Sequence, residues 1–144
     1  MFKKIIWAAD GSPSSGRVQD AVQELANDNR ASVLAIHVQE HFSLGRKPVL
    51  ADSHQALDEF LQSRVEELKK DGIAAELLLA ESRSGHAAHV LADLAREAGA
   101  DLIVAGTHGQ GPVAGFFLGG FTIHLLQAAS CPVLVVPRDP RGGA

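Results

Sequence analysis

The chain has 144 residues and a formal net charge of −4, with 46% hydrophobic and 21% charged residues. A chain of this length and composition forms one folded domain with its own core, which excludes intrinsic disorder. The negative charge, without a cluster of Lys or Arg, argues against a nucleic-acid partner. It leaves room for a nucleotide, because backbone amides hold phosphate without side-chain charge.

Cysteine content and hydropathy indicate the compartment. Cys131 is the single cysteine, so an internal disulfide is impossible and a reducing compartment fits. We expect this thiol to be a small buried hydrophobe. The apolar run over residues 5–9 is too short for a signal peptide, and no stretch reaches the roughly 20 apolar residues that cross a membrane. The sequence therefore predicts a cytoplasmic protein without a membrane partner.

Apolar runs alternate with amphipathic stretches along the chain. Helices are predicted where apolar residues recur at three- and four-residue spacing; Ser12 is the expected N-cap of the first, and the cap of the third is expected within residues 82–85. Short apolar runs bounded by turn residues predict strands over residues 4–9, 32–38, 74–80, 101–105 and 133–136. This order predicts an α/β domain over residues 1–137, with a parallel sheet covered by helices on both faces. Residues 138–144 are rich in Gly and Pro and are predicted to be a flexible tail.

The connection over residues 39–51 lacks periodicity. At about a dozen residues it is longer than most connections in α/β domains. We expect it to be a mobile lid beside the second strand, with Arg46 or Lys47 supplying positive charge.

A glycine-rich loop follows the fourth strand. It begins Gly106-Thr107-His108-Gly109, and the next helix begins at Gly119-Gly120-Phe121-Thr122. A strand that leads into a glycine-rich loop and then a helix is typical of phosphate binding in α/β proteins. The spacing matches neither the dinucleotide fingerprint nor a Walker loop.

These motifs resemble the universal stress protein family, specifically the branch whose members bind ATP. The likeness rests on Val-Ala-Gly-Thr-His-Gly at 104–109 and on Cys-Pro-Val-Leu-Val-Val at 131–136, and it extends from residues 4–12 through 36–38 to Pro137. It implies a single doubly wound, five-stranded parallel sheet in the order 3-2-1-4-5. In that order a ligand crevice opens at the carboxyl ends of strands 1 and 4. Asp10 follows strand 1 and Gly106 ends strand 4, so the two motifs meet there.

The resemblance further implies a site for ATP, ADP or AMP, with Mg²⁺ accompanying the nucleotide. Ribose and base would lie against strands 1 and 2, and the phosphates against the loop and the start of the last helix. The implied contacts are Ala8, Asp10, Val38, Gly106, Thr107, His108, Gly109, Gly119, Gly120, Phe121 and Thr122.

Two positions depart from the family pattern. Gly120 stands where ATP-binding members have Ser or Thr, and Gln110 stands where a basic residue is common. Losing one hydrogen bond to a charged group costs about 1.5–3 kcal/mol, so we expect weakened binding. Thr122 matches a second hydroxyl of the family and is expected to serve in its place.

Catalytic and metal sites are not predicted. The chain has no Gly-x-Ser-x-Gly elbow and no identifiable general base, so at most slow ATP hydrolysis is expected. His86 and His89 lie three residues apart, and His37 and His41 lie four apart. Neither pair has a third ligand at the usual spacing, so these histidines are predicted to be solvated or structural.

Two functions remain open. The first is a nucleotide-binding stress sensor or regulator acting on an unidentified client protein. The alternative is a nucleotide-independent dimeric interaction module of the same family. A homodimer is expected in both cases, because the apolar last strand, Val133–Val136, would otherwise be an exposed sheet edge, and the family's dimers pair this strand.

Overall fold

The computed structural model describes residues 1–10, 15–41, 51–107 and 119–137. The described elements are β1 (Lys4–Ala8), α1 (Ser15–Asn29), β2 (Ser32–His41), α2 (Ala51–Lys70), β3 (Ala75–Arg83), α3 (Ala87–Glu97), β4 (Leu102–Gly106), α4 (Gly120–Ala128) and β5 (Val133–Val136). Neighbouring strands pair in parallel, in the order β3-β2-β1-β4-β5. The predicted fold class and strand order are confirmed.

The sheet is apolar on both faces because helices cover both. In β1, Ile5 and Trp7 belong to a core shared with α1 and α2, whereas Ile6 belongs to a core shared with α3 and α4. All three side chains are at most 1% exposed. Burial on both faces explains why the strands appear in the sequence as continuous apolar runs rather than alternating patterns.

Glycines end two of the helices. Gly72 follows α2 with φ +83°, and Gly99 follows α3 with φ +74°. A left-handed residue after the last turn redirects the chain toward the sheet, and glycine adopts that conformation without a steric penalty from a Cβ atom.

The second strand is longer than predicted. It pairs with β3 as far as His41↔Arg83, and His41 Nε2 lies 3.3 Å from Glu81 Oε1. Polar residues extend the strand here because the partner strand satisfies their backbone groups, a pairing that hydrophobic patterning does not detect. The prediction of a lid over residues 39–51 is therefore wrong for residues 39–41.

The remainder of that segment gives a mixed outcome. Ala51 is already the first residue of α2, whereas residues 42–50, including Arg46 and Lys47, lie outside the described residues. So do Ser12 and residues 138–144.

The start of α3 also differs from the sequence prediction. Its N-cap residue is His86, which makes no side-chain capping hydrogen bond. The residues expected to cap it instead extend β3 to Arg83 and form a turn in which Gly85 has φ +83°.

Candidate functional site

The carboxyl ends of β1 and β4 lie side by side at the centre of the sheet. Trp7 pairs with Val104 in the register that joins these two strands. From β1 the chain winds outward through β2 to β3, and from β4 it continues to β5 on the other side. This reversal is the switch point at which open α/β sheets bind ligands. Thr107 directly follows β4, and Asp10 follows β1 after Ala9.

Hydrogen bonds attach the start of α4 to the end of β4. The Gly119 amide donates to Thr107 O at 2.9 Å, and Thr122 Oγ1 donates to Gly106 O at 2.9 Å. Thr122 is only 2% exposed. The far end of the long loop is thus held against the strand that it leaves, which fixes the direction of the first helical turn.

The hydroxyl of Thr122 therefore points into the protein. The resemblance implied that this group meets a phosphate, but here its proton is used by Gly106 O, and Thr107 O lies 3.5 Å from the same oxygen. This arrangement makes Thr122 a residue that positions the helix start.

In the part of the chain that the structure describes, no side chain caps the first turn of α4. Gly119 is the N-cap residue, with φ −64° and ψ 157°, and it makes no side-chain capping hydrogen bond. The first amides of a helix lack intrahelical acceptors and carry partial positive charge, so they favour an anion. Gly119 and Gly120 themselves add no side chain in front of these amides.

Gly120 is not required by backbone geometry. Its φ lies outside the left-handed region, and a Cβ atom added there would meet nothing within 4 Å. A side chain at this position would be accommodated without strain, so the absence of a hydroxyl is a difference in chemistry rather than a packing necessity.

The β2 side of the crevice contains a residue that sequence reasoning missed. His37 Nδ1 lies 2.9 Å from Ala9 O, and the Ala9 amide donates to Ile36 O at 3.0 Å. Because a carbonyl only accepts, Nδ1 carries the proton. His37 thus fixes the chain between β1 and Asp10. Only the contact in the folded chain identifies this role, since the sequence pattern makes His37 an ordinary strand residue.

The predicted contacts in the described part of the chain lie along this edge. Ala8, Val38 and Phe121 are half-buried and pack against the same core, the one covered by α3 and α4. Asp10 is half-buried at the end of β1 and is the one ionisable side chain among the described members of the predicted set. His108 and Gly109, like Gln110, lie outside the described residues.

A second cleft lies on the opposite face of the sheet. It has a volume of about 370 Å³ and is lined by His37, Gln39, Asp58, Leu79, Ala80 and Glu81. Two carboxylates make this cleft a poor site for phosphate, because like charges repel. An anionic ligand therefore favours the α4 side of the sheet.

Cys131 lies away from the site, at the amino end of the sheet before β5. It is half-buried and packs against the core under α3 and α4. Burial raises the pKa of the Cys131 thiol, and the nearby Asp101 carboxylate raises it further. The thiol is therefore protonated and unreactive at neutral pH, as expected for a hydrophobe.

The fold and its central edge define a class: a doubly wound α/β domain with a glycine-rich, uncapped helix start at the switch point. The chain belongs to the universal stress protein family, whose family model matches residues 1–137. Universal stress protein YxiE of Bacillus subtilis is 30% identical, over 94% of this chain and 99% of that protein. A crystal structure of a family protein from Burkholderia pseudomallei is 32% identical, with a TM-score of 0.75 and coverage of 94% of this chain and 96% of that one.

Two similar structures contain nucleotides. One is a universal stress protein in complex with cAMP, 23% identical, with a TM-score of 0.71 and coverage of 96% of this chain and 99% of that one. The other is the Archaeoglobus fulgidus protein in complex with dAMP, 21% identical, with a TM-score of 0.68 and coverage of 94% and 97%. At these identities the likeness shows the fold. None of the described helices here is long and apolar enough to span a membrane.

Proposed function

We propose that this protein binds an adenine nucleotide at the carboxyl edge of β1, β2 and β4 and acts as a stress sensor or regulator. The observation that carries the proposal is the start of α4. Among the described residues no side chain caps its amides, Gly119 and Gly120 add no side chain there, and bonds from Gly119 and Thr122 hold the helix start beside the end of β4. A fixed group of amides at a switch point is suited to a phosphate.

The ligand's two ends would meet different parts of this edge. Asp10 and the backbone around Val38 would contact ribose and base, and the amides of residues 119–122, with the loop that begins at Gly106, would hold the phosphates. ATP, ADP and AMP all fit this division, with Mg²⁺ accompanying the longer phosphates. The complexes with cAMP and dAMP in family proteins support an adenine nucleotide as the ligand class.

The role is regulatory rather than catalytic in this proposal. No general base is identified beside the uncapped amides in the described part of the crevice, so hydrolysis of ATP would be slow at most. The site of action would be the cytoplasm, and the client protein would read the occupied or empty state of the crevice.

Mass spectrometry of small molecules released from protein purified without added ligand tests the proposal. We expect an adenine nucleotide at substoichiometric occupancy, because Gly120 lacks the family hydroxyl. Calorimetry with ATP and AMP should then show weak binding that Asp10→Ala weakens further. Glu81→Ala, in the cleft on the opposite face, is the matched control and should leave the affinity unchanged. No binding by the folded wild-type protein would refute the proposal.

A second candidate function, a nucleotide-independent dimeric interaction module, is favoured by one surface. Leu134 on the edge strand β5 is 41% exposed, and Ile123 and Leu126 on the adjacent α4 are 42% and 44% exposed. The edge strand carries no charged residue, unlike the opposite edge strand β3. Exposed apolar edges of this kind associate unless they are covered.

Dimerisation through β5 is therefore part of both candidates. Sedimentation equilibrium at micromolar concentration should give a dimer for the wild type and a monomer for Leu134→Glu. The control is Leu79→Glu, which introduces the same charge at a residue that is 46% exposed on the opposite edge. A dimer that binds no nucleotide would favour the interaction module, whereas a wild-type monomer would contradict both accounts of β5.

A further inference from the structure

The cleft on the α2 face of the sheet lies between α2 and the carboxyl ends of β2 and β3. Its volume of about 370 Å³ is within the range of small-molecule sites. Three elements supply its lining, with His37 and Gln39 from β2, Asp58 from α2, and Leu79, Ala80 and Glu81 from β3. The glycine-rich start of α4 lies on the other face, so a ligand held in this cleft is distinct from the proposed nucleotide.

The lining carries two carboxylates and no Lys or Arg among the described residues. Asp58 is half-buried, and no hydrogen bond or ion pair links its carboxylate to another described residue. The Glu81 carboxylate lies 3.3 Å from Nε2 of His41, which is charged only when it is protonated. Partial burial of a carboxylate without a partner is unfavourable, so the cleft favours a ligand that brings positive charge.

His37 adds a further acceptor to the same lining. Its Nδ1 donates to Ala9 O at 2.9 Å, and a neutral imidazole that donates through one nitrogen accepts through the other. This bond also fixes the orientation of the ring. Nε2 of His37 is therefore an acceptor, and β2, α2 and β3 each contribute an acceptor group to the cleft.

A bare metal ion does not match this arrangement. In the residues that the structure describes, no three histidine, cysteine or acidic side chains are placed to hold one. The cleft is also much larger than a single ion requires. Carboxylates on separate elements are better suited to a longer cation that carries charge at two points.

Leu79 provides an apolar surface within the cleft. It is 46% exposed, and an aliphatic ligand that covers it removes apolar area from water. Leu79 and Glu81 are two residues apart on β3, so their side chains project from the same face of the sheet. Asp58 lines the same cleft from α2. The apolar surface is thus accompanied by a carboxylate from each of two elements.

We propose that this cleft binds a short aliphatic diamine. One ammonium group pairs with Asp58 and the other with Glu81, while the methylene chain lies against Leu79. Two positive charges match two carboxylates, and ammonium groups, which only donate hydrogen bonds, match a lining that offers acceptors. Nε2 of His37 accepts one of the remaining ammonium hydrogens.

The test is an NMR titration of nucleotide-free, ¹⁵N-labelled protein with 1,4-diaminobutane at pH 8 and constant ionic strength. Alkylammonium groups remain charged at this pH, whereas an unperturbed imidazole is neutral. We expect saturable shifts confined to amides near residues 37–39, 58 and 79–81. Affinity for 1-aminobutane should be about tenfold lower, the equivalent of one hydrogen bond to a charged group. The uncharged 1,4-butanediol should produce no saturable shift.

Isosteric variants locate the two charged contacts. Asp58→Asn and Glu81→Gln should each lower the affinity for 1,4-diaminobutane about tenfold, because each leaves one ammonium without its carboxylate. The matched control is Glu76→Gln, which removes the same charge from the same strand. Glu76 is exposed and lies an odd number of residues from Glu81, so it projects from the opposite face. This variant should retain wild-type affinity, and circular dichroism checks that each protein is folded.

Three results would overturn the proposal. The first is equal affinity for 1,4-diaminobutane in the wild type, Asp58→Asn and Glu81→Gln. The second is an equal loss in Glu76→Gln, which would assign the binding to general attraction by an acidic surface. The third is equal binding of the diamine and the diol. Because the titrations contain no nucleotide and the cleft lies on the other face, any of these results would leave the proposed nucleotide site standing.

Discussion

Backbone amides are exposed to an anion at both ends of the parallel sheet, but among the described residues a carboxylate accepts their hydrogen bonds at the amino end only. At the amino end, the Asp101 carboxylate accepts the amides of Lys3 and Lys4 at 2.7 and 3.2 Å. At the carboxyl end, the amides of the first turn of α4 follow Gly119, and none of the described side chains caps them. Backbone amides thus have a structural role at the amino end, where the chain provides a carboxylate. They form a proposed binding site at the carboxyl end, where the chain provides glycine.

The two ends also differ in what holds them in place. Asp101 directly precedes β4 and reaches the chain that leads into β1, so its bonds join two neighbouring strands of the sheet. At the other end, Thr122 and Gly119 bond to the residues that end β4. The proposed binding end is thus held in place by hydrogen bonds, as preorganisation for a ligand requires.

The largest expected effect comes from removing the protein's own anion. Asp101→Ala leaves two amides without their acceptor, and hydrogen bonds to charged groups contribute about 1.5–3 kcal/mol each. Because these amides are partly accessible to water, we expect the free energy of unfolding to fall by about 2–3 kcal/mol in total. Urea denaturation followed by circular dichroism measures the change.

Two variants control this experiment. Asp101→Asn keeps one oxygen acceptor without the charge and should lose less stability than Asp101→Ala. Asp93→Ala removes an exposed carboxylate that pairs with Arg96 at 3.0 Å on one helix face, and exposed pairs contribute little. If Asp93→Ala lowers the free energy of unfolding as much as Asp101→Ala does, the hydrogen bonds to Asp101 have no special role.

The next effect concerns the end that the protein leaves open. Gly120→Ser adds a hydroxyl beside the proposed phosphate position and should tighten nucleotide binding by at most one or two decades, the equivalent of one hydrogen bond to a charged group. The conformation of Gly120 and the free space around it permit the substitution without strain. Calorimetry with ATP measures the gain.

Gly120→Ala is the matched control, because it adds the Cβ atom and the same loss of backbone freedom without a hydroxyl. Its affinity should remain near that of the wild type. Equal gains in the alanine and serine variants would assign the effect to helix stabilisation rather than to a phosphate contact. Equal nucleotide affinity in all three proteins would show that no phosphate binds near residue 120.

Much of this difference between the two ends of the sheet could be predicted from the sequence. Continuous apolar runs predicted buried parallel strands, and the glycine-rich stretch after β4 predicted a phosphate site at the start of the next helix. Strand order came from the family resemblance, because handedness rules alone permit several orders. The locations of Asp10 and Gly106 at one edge then followed from that order.

Features that depend on side-chain direction were not accessible. The sequence could not indicate that the Thr122 hydroxyl points toward Gly106 O, or that His37 contacts Ala9 O. Nor could spacing show that the His89 ring on α3 and the His124 ring on α4 lie 6.1 Å apart, because the packing of the two helices brings them together. The extension of β2 to His41 was missed because polar residues there rely on backbone pairing rather than on burial.

A smaller effect is expected from the residue that positions the open end. Thr122→Val keeps the shape of the side chain but removes the bond to Gly106 O, so stability should fall by about 1 kcal/mol. Nucleotide affinity should fall with it, because the first turn of α4 is no longer held at the end of β4. Thr122→Ser should restore both properties. Loss of affinity without loss of stability would instead indicate direct contact between the hydroxyl and the ligand.

The smallest expected effect is a pH dependence of stability that arises at the amino end of the sheet. Burial, and then the Asp101 carboxylate, raise the pKa of the Cys131 thiol above its ordinary value of 9.0. A raised pKa in the folded state means that the protonated thiol stabilises the fold below about pH 9, and that this contribution is lost as pH rises through the folded-state pKa. We therefore expect the difference in unfolding free energy between the wild type and Cys131→Ala to stay constant from pH 7 to 8.5. Above pH 9 this difference should change, because the wild type loses stability relative to Cys131→Ala.

Asp101→Asn should reduce this change, because the neighbouring negative charge that disfavours the thiolate is gone. Parallel stability curves for the wild type and Cys131→Ala up to pH 10.5 would show that the thiol ionises as freely in the folded chain as in the unfolded one.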